Sequence, residues 1–384
     1  MPCAVPSNDL ALFQCLLIGT WINPEELKDN EGRYLSYNVM PLPQKDRQIT
    51  RPQNPQHPDY GGFILKNFTF TETIRFNGSA KQDDIHHQDP DAVAVVAGAP
   101  NRGGSYTQFA HAVFYEQQVR FAEGPAQGKI VHIENGAWLH LGSQPQILGP
   151  YDLHNNGPYV EGQVLRQPPY ITIAKQIAVP HGNSVLALGN VDLYDRDQFN
   201  HDLSGLQAKT ILHGTPVIPD AFVPYPAPAD ISTAPSEDPY AEPLNANNDY
   251  ENPNLAWTLN PNYPLQAALG IIRPKAHIHF RVTTQPVFGG KGTVTNIPFE
   301  ERKSKVIDYW ADYWLLSKDA NAAHTMNFEY LAYTQTILME MQISTDEGMT
   351  YKPYIFPHIT CNTVKKVSGT PKEARDQIKT ALEG

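Results

Sequence analysis

The feature that most constrains this fold is a series of short sequence blocks that occurs twice in the same order. Each half contains a P-x-x-G-G-x-x-T block, an F-x-E block, a W-L pair and a Pro-His pair, and each closes on K-T-x-L-x-G. The clearest matches are residues 100–107 with 286–293, 137–139 with 313–315, 179–181 with 356–358, and 209–214 with 379–384. One such block arises easily by chance, but an ordered series predicts an internal duplication.

The repeated blocks divide the chain of 384 residues into two copies and a connecting segment. We predict one β-barrel domain with a terminal helix over residues 1–214 and a second over residues 253–384. Residues 215–252 are rich in Pro, Ala, Asp and Asn and lack a sustained apolar period, which predicts an extended proline-rich linker.

Alternation of apolar and polar residues predicts mostly β-structure within each copy. Residues 68–76 place an aromatic or aliphatic side chain at nearly every second position, and rows of the same kind occur at residues 113–121 and 171–179. Residues 370–373 form a capping box with Pro at the first helical position, which predicts a C-terminal helix. The expected fold class is therefore mostly all-β, with two tandem antiparallel barrels that are each followed by a short helix.

Composition excludes several classes of partner. The net charge of −11 argues against a nucleic-acid or anionic-membrane partner, because nothing would neutralise the phosphates. The sequence has no run of 18 apolar residues, so no membrane span is expected. The three cysteines are too few and too scattered for a disulfide framework, which favours a cytoplasmic location.

Two regions carry a resemblance to a known group of barrels. The G-T-W sequence at residues 19–21 resembles the opening signature of the calycin superfamily, the lipocalin and fatty-acid-binding group. The aromatic-glutamate strand at residues 68–76 is similar to a strand of nitrobindin-type heme-binding β-barrels, and His358 before the basic end at 363–366 resembles their last strand. The resemblance covers about half of the first copy and only the final strand of the second. It implies calycin-like barrels that hold heme through an axial histidine.

His181 and His358 are the candidate heme ligands, and thus the predicted cofactor-binding and metal-binding residues. By strand alternation His181 is in phase with Ile177 and Val179, and His358 with Phe356, so each imidazole ends an apolar row. A neutral imidazole is a good iron ligand. Both histidines follow a proline, which departs from the family pattern, and the alternative is a turn histidine that bonds the backbone.

Glu72 and His111 are the candidate catalytic residues of a cofactor-free site. Glu72 shares a strand face with Phe70 and Ile74, so burial should raise the pKa of its carboxyl and suit it to acid–base work near neutrality. His111 is in phase with Val113 and is a weaker inward candidate. The alternative for Glu72 is a hydrogen-bonded or salt-bridged barrel residue with a structural role.

A polar row on a neighbouring strand is predicted to face away from the interior. It consists of His132, Glu134, Trp138 and His140. The opposite face of that strand is aliphatic, and we expect the aliphatic face to line the core. The polar row would then meet solvent or the other barrel.

His277 and His279 lie two residues apart, a spacing seen in cupin metal sites. Such a site needs a third ligand, and residues 280–285 supply none. We therefore expect no metal at this position.

These observations leave three functions open. The first is binding of a bulky apolar ligand, heme first, with peroxidase-like or nitric-oxide chemistry. The second is a cofactor-free isomerase, dehydratase or cyclase that acts on a hydrophobic metabolite through Glu72 and a histidine. The third is a carrier or scaffold whose second barrel is filled by Tyr309 and Tyr313. In each case the expected partners are a small hydrophobic ligand and, for the assembly, a second copy of the chain in a homodimer.

Overall fold

The computed structural model describes thirteen strands and three helices. The described ranges are residues 16–43, 63–78, 106–124, 126–143, 173–179, 182–192, 263–284, 292–298, 301, 304–325, 327–344, 351–368 and 371–383. All structural statements below concern these ranges.

Thirteen strands and three helices make up the described structure. The strands are β1 (Gly19–Ile22), β2 (Tyr37–Pro43), β3 (Phe63–Phe68), β4 (Phe70–Gly78), β5 (Tyr106–Phe121), β6 (Ile130–Ser143), β7 (Ile173–Val179), β8 (Asn183–Asp192), β9 (Ala276–Thr283), β10 (Thr293–Asn296), β11 (Ser304–Ser317), β12 (Tyr330–Ser344) and β13 (Tyr351–Lys366). The helices are α1 (Tyr263–Ile272), α2 (Ala322–Thr325) and α3 (Pro371–Glu383). The prediction of a C-terminal helix is confirmed by α3.

Ten of the strands close into one antiparallel barrel. Their order is β1-β4-β5-β6-β7-β8-β9-β11-β12-β13, and β13 returns to β1. The closing strand β1 is short: Trp21 pairs with Ile74 of β4 on one side and with Lys366 of β13 on the other. Strands β2 and β3 extend from β13, and β10 pairs with β8. Closure gives these strands partners on both sides and so leaves no open barrel edge.

The structure has one barrel where the sequence predicted two. Segments 1–214 and 253–384 both contribute strands, which meet where β8 pairs with β9 and where β1 pairs with β13. The alternation of apolar and polar residues along a strand identifies its two faces but not the strands that pair with it. The number of barrels could therefore not be predicted from these sequence patterns. The linker at 215–252 and the helix predicted near 209–214 lie outside the described residues.

The repeated blocks are not equivalent in the barrel wall. Trp138 of β6 points into the barrel and contacts Tyr313 at 5.3 Å between ring centroids. Its sequence match Trp314 points outward, where it packs with Leu265 and Leu269 of α1. The internal duplication stays a prediction.

Large side chains fill much of the barrel interior. Trp21 is completely buried, and its indole N–H donates to the Leu17 carbonyl at 2.7 Å. Phe280 stacks on Tyr313 at 5.1 Å between ring centroids, and Trp138 meets Phe280 edge-on at 5.3 Å. Contacts of this kind add to the free energy of burying the rings.

Within the described ranges, no helix has the length and apolar character needed to cross a bilayer.

Candidate functional site

A buried polar network occupies the otherwise aromatic interior of the barrel. Strands β4 to β7 and β11 to β13 each contribute to it, because a polar residue replaces an apolar one at an inward position. Its members are Glu72, Tyr115, Gln117, Glu134, Lys175, Tyr309, Tyr313, Tyr333, Gln335 and Asn362. All ten have less than 9% of their surface exposed. Buried polar groups at this density are costly unless they are bonded to one another, as they are here.

Glu72 lies at one end of this network and accepts hydrogen bonds from three neutral side chains. Gln117 donates to Oε2 at 2.5 Å and Tyr333 donates to the same oxygen at 2.9 Å, while Asn362 donates to Oε1 at 2.7 Å. Asn23 supports this arrangement by accepting the Glu72 backbone N–H at 2.7 Å. The carboxylate therefore keeps a single orientation.

Burial raises the pKa of Glu72 from 4.5 to about 7. Removing the carboxylate from water disfavours its charged form, and the bonds from Tyr333, Asn362 and Gln117 offset only part of that effect. The carboxyl group consequently exchanges its proton near neutral pH.

Glu134 lies at the other end of the network and has a cationic partner. Lys175 Nζ is 3.3 Å from Glu134 Oε1, and Tyr115 donates to the same oxygen at 2.6 Å. His132 Nε2 lies 3.7 Å from Oε2. Gly136 makes room for Tyr115, because a Cβ there would be 2.8 Å from the Tyr115 ring and 1.9 Å from the Gln176 carbonyl oxygen.

The pKa of Glu134 is lowered to about 2. Burial by itself would raise it, but the charge of Lys175, the contact with His132 and the bond from Tyr115 together outweigh burial. The pKa of Lys175 is raised, because the hydrogen bonds with Tyr313 and Glu134 and the charge of the Glu134 carboxylate outweigh the cost of burying the ammonium. The pair is therefore ionised at neutral pH.

Lys175 also binds two tyrosine hydroxyls. Its ammonium donates to Tyr313 at 2.7 Å and to Tyr309 at 3.2 Å. The two hydroxyl oxygens lie 3.2 Å apart, and Tyr309 donates onward to Gln335 Oε1 at 3.3 Å. The ammonium thus polarises a short chain of hydroxyl groups.

A small cavity of about 20 Å³ adjoins this network. One part of its wall is apolar and the rest carries hydrogen-bonding groups. The apolar lining is Leu17, Ile74, Phe76, Trp138, Phe280 and Leu331, and the polar lining is Tyr115, Gln117, Lys175, Tyr313, Tyr333 and Gln335. The polar lining includes hydrogen-bond partners of both carboxylates. A volume of this size holds about one water molecule.

The structure brings one of the four predicted site residues into this network. Glu72 lies inward as its row predicted, and the direction of its pKa shift is the one expected. His358 is 8% exposed and lies on the same face of β13 as Asn362 and Val364, but it does not line the cavity. The side chain of His111 and all of His181 lie outside the described residues. A role for these residues in binding or catalysis stays a prediction.

The predicted orientation of the β6 polar row was wrong. Glu134 and Trp138 point into the barrel, and the side chain of His140 lies outside the described residues. The aliphatic face, with Ala137 and Leu139, points outward and is buried there against Leu188. Because the outer face of this strand is also covered at Ala137 and Leu139, the more aliphatic face was not a guide to the interior.

His277 and His279 lie on the outer face of β9, away from the cavity. His279 Nε2 is 2.8 Å from Asp312 Oδ1 and its ring stacks on Trp314 at 5.1 Å between centroids. Asp312 was not a sequence candidate for this partnership, because it lies 33 residues along the chain on β11. In the described part of the chain, no group of three or more His, Cys, Asp or Glu side chains is placed to hold a metal ion.

The cavity beside the network is smaller than a heme pocket. Pockets for ligands of that size usually have volumes of about 300–1,000 Å³, whereas the cavity beside the network has about 20 Å³. His358 does not reach its lining. Heme binding stays a prediction, since His181 lies outside the described residues.

Sequence reasoning missed the site residues Lys175, Gln117, Tyr333, Gln335 and Asn362. Lys175 is in phase with Ile173 and Ile177, which the alternation predicted to point inward, but no prediction was made for the lysine itself. Gln117 likewise falls between inward-facing residues of β5. A polar residue at an inward position of an otherwise apolar strand face was the sequence signal for these site residues. The partners of such a residue on distant strands could not be predicted from the sequence.

Comparison with known proteins adds little to this geometry. No protein-family profile matches the sequence, and no curated protein matches it at the significance required. Among solved structures, the chain is similar to "Crystal Structure of Rv2717c from M. tuberculosis", with 10% sequence identity, a TM-score of 0.32, and coverage of 94% of this chain and 99% of that chain. A likeness at that TM-score carries no argument. The closed antiparallel barrel by itself fits a calycin-like fold in general terms.

Proposed function

We propose that this protein binds a small, largely apolar ligand in its barrel and transfers protons to and from it through Tyr333 and Glu72. The observation that carries the proposal is Glu72 itself: a completely buried carboxyl group with neutral partners and a pKa of about 7. A group of this kind, next to a cavity, is a frequent mark of a functional site.

Tyr333 connects the carboxyl group to the cavity. Its ring lines the cavity wall, and its hydroxyl donates to Glu72 Oε2. A proton released by the ligand passes to the Tyr333 oxygen while the hydroxyl proton of Tyr333 passes to the Glu72 carboxylate. The ligand loses one proton and Glu72 gains one, and the reverse transfer restores both groups.

The cavity wall supports a ligand with an apolar body and few polar atoms. Six apolar side chains form one part of the lining, whereas the polar groups are concentrated in the rest. The volume of about 20 Å³ holds one water molecule, so binding of a larger ligand requires the cavity to enlarge. This proposal keeps the small hydrophobic ligand expected from the sequence, but Tyr333 takes the place of the expected histidine.

Hydrogen–deuterium exchange of small carbon acids in D₂O tests the proposal. We expect the protein to accelerate exchange into acetone or nitromethane, with a rate that rises with pH and levels off above about 7, since the carboxylate is the base. Glu72→Gln should lower the catalysed rate by about 100-fold or more. NMR of the recovered probe measures the incorporation.

Asp312→Asn is the matched control, because Asp312 is a buried carboxylate on the outer face of the wall. This variant should retain the wild-type rate. Equal rates for wild type and Glu72→Gln with both probes would refute the proposal.

A further inference from the structure

Among the tyrosine hydroxyl groups of the network that belong to the cavity lining, that of Tyr313 donates in the weakest hydrogen bond. Tyr115 donates to Glu134 at 2.6 Å and Tyr333 donates to Glu72 at 2.9 Å, so their hydrogens are used in strong bonds. Tyr309 donates to Gln335. The single hydrogen of Tyr313 has only the 3.2 Å contact with the Tyr309 oxygen, and the Tyr313 ring lines the cavity.

Lys175 strengthens this donor. Its ammonium donates to the Tyr313 oxygen at 2.7 Å, which draws electron density from the hydroxyl group and makes its hydrogen a better donor. The same ammonium would stabilise negative charge that develops on an atom bonded to Tyr313. Such preorganised donors in a water-excluded site contribute strongly to catalysis.

The charge balance of this end of the network favours a neutral ligand atom. Lys175 is paired with Glu134, so the cluster carries no net charge before the ligand reacts. A neutral oxygen is therefore bound without an added full charge. The interaction becomes stronger only as that oxygen becomes negative, which is the condition for lowering a reaction barrier.

We infer that Tyr313, activated by Lys175, donates a hydrogen bond to the carbonyl oxygen of the substrate, and that the substrates are small enolisable ketones or aldehydes with an apolar body. The inference rests on the proposed function of the same cavity. It assigns the two tyrosines opposite tasks: Tyr313 binds the oxygen, and Tyr333 takes the proton. Their rings lie next to each other, 5.6 Å apart between centroids.

The reaction step is an enolisation. The bond between hydrogen and the carbon next to the carbonyl breaks, and its proton goes to the Tyr333 oxygen as the Tyr333 proton moves to Glu72. The electron pair left on carbon forms a carbon–carbon double bond, and the carbonyl π pair moves to the oxygen that Tyr313 holds. Return of the proton to the same carbon gives exchange, and its return to a conjugated carbon gives isomerisation.

Infrared spectroscopy of carbonyl-¹³C-labelled acetone and cyclopentanone tests the inference. A hydrogen bond to the carbonyl oxygen shifts its stretching band to lower frequency, so we expect a shifted band for the bound probe. Tyr313→Phe should abolish the shift and lower catalysed exchange by about 100-fold or more. Tyr330→Phe is the matched control, because Tyr330 is a buried tyrosine on the outer face of β12 and does not line the cavity, and it should retain the shifted band.

The carbonyl-binding inference and the proposed proton-transfer function can be refuted independently. A shifted band that persists in Tyr313→Phe, or the absence of a shifted band for both probes in the wild type, overturns the inference even if Glu72-dependent exchange occurs. A Tyr313-dependent band without exchange leaves the carbonyl site standing and removes the proton-transfer function. If Tyr313→Phe does not fold, Gln335→Leu decides the matter, because Gln335 carries another donor in the cavity wall: a shift that persists in this variant supports Tyr313, and a shift that disappears overturns the inference.

Discussion

Glu72 and Glu134 are both completely buried in one barrel, yet the pKa of the first is raised to about 7 and that of the second is lowered to about 2. Their neighbours differ in charge. Glu134 has the ammonium of Lys175 at 3.3 Å and His132 at 3.7 Å, whereas the three side chains that bond Glu72 are neutral. Burial raises the pKa of both groups, and for Glu134 the charge of Lys175, with the contacts of His132 and Tyr115, reverses that effect.

This difference separates two tasks within one interior. The Glu134 end is ionised across the neutral range, so it can hold Lys175 and the tyrosine hydroxyls in a constant arrangement. The Glu72 end changes protonation near pH 7, so it can exchange protons. A site that needs both a fixed donor and a titrating base requires this kind of asymmetry.

The largest effect is expected when Lys175, the cation that distinguishes Glu134 from Glu72, is removed. Lys175→Met leaves the Glu134 carboxylate buried without its charge partner, so the free energy of unfolding should fall by about 3–5 kcal/mol at neutral pH. The pKa of Glu134 should rise, since its largest stabilising neighbour is lost. Urea denaturation measures the first effect and infrared spectroscopy of the carboxyl band measures the second.

The double variant Lys175→Met with Glu134→Gln is the control for that experiment. It removes both charges and should recover most of the lost stability. If Lys175→Met lowers the free energy of unfolding by less than about 1 kcal/mol, Lys175 and Glu134 do not stabilise each other as a buried ion pair.

The next test concerns the pH dependence of stability at Glu72. Its pKa in the folded state, about 7, lies above its ordinary value of 4.5, so the folded protein holds this proton more tightly than the unfolded chain. The resulting stability is complete below the ordinary pKa and is lost as the pH rises through the folded-state value. The loss should be about 3 kcal/mol between pH about 4.5 and about 8.

Glu72→Gln has no titrating proton and should lack this loss, as measured by urea denaturation at a series of pH values. Asp312→Asn should keep it, because that carboxylate lies outside the barrel. The same decline in wild type and Glu72→Gln would mean that another group titrates.

The smallest test compares the two tyrosines that bond the carboxylates. Tyr333→Phe and Tyr115→Phe each remove one hydrogen bond to a buried acceptor and should each lower the free energy of unfolding by about 1–2 kcal/mol. Their electrostatic effects should differ. Tyr333→Phe should raise the pKa of Glu72 further, whereas Glu134 should stay ionised in Tyr115→Phe because Lys175 remains.

Infrared titration of the protonated carboxyl band distinguishes these outcomes. A Glu134 that becomes protonated near neutral pH in Tyr115→Phe would show that Tyr115, and not Lys175, is the main reason for its low pKa.

Strand rows and their inward faces were partly predictable from local pattern. The row with Phe70, Glu72 and Ile74 was placed inward correctly, and so was that of Ile173 and Ile177. On β6 the same logic failed, because Ala137 and Leu139 are buried on the outside of the wall. Alternation separates two faces, and it identifies the interior only where one of them meets water.

The sequence by itself determined the β-rich character of the chain, the C-terminal helix and the inward position of Glu72, since these follow from the spacing of apolar residues and from helix-capping signals. Tertiary structure alone decided that the strands form one barrel, that Lys175 on β7 meets Glu134 on β6, and that Glu72 on β4 meets Tyr333 on β12. The physical reason is the same in each case. Strand pairing and side-chain contacts across a barrel join residues up to 350 positions apart, and the charge of a buried group depends on those neighbours and not on its own segment.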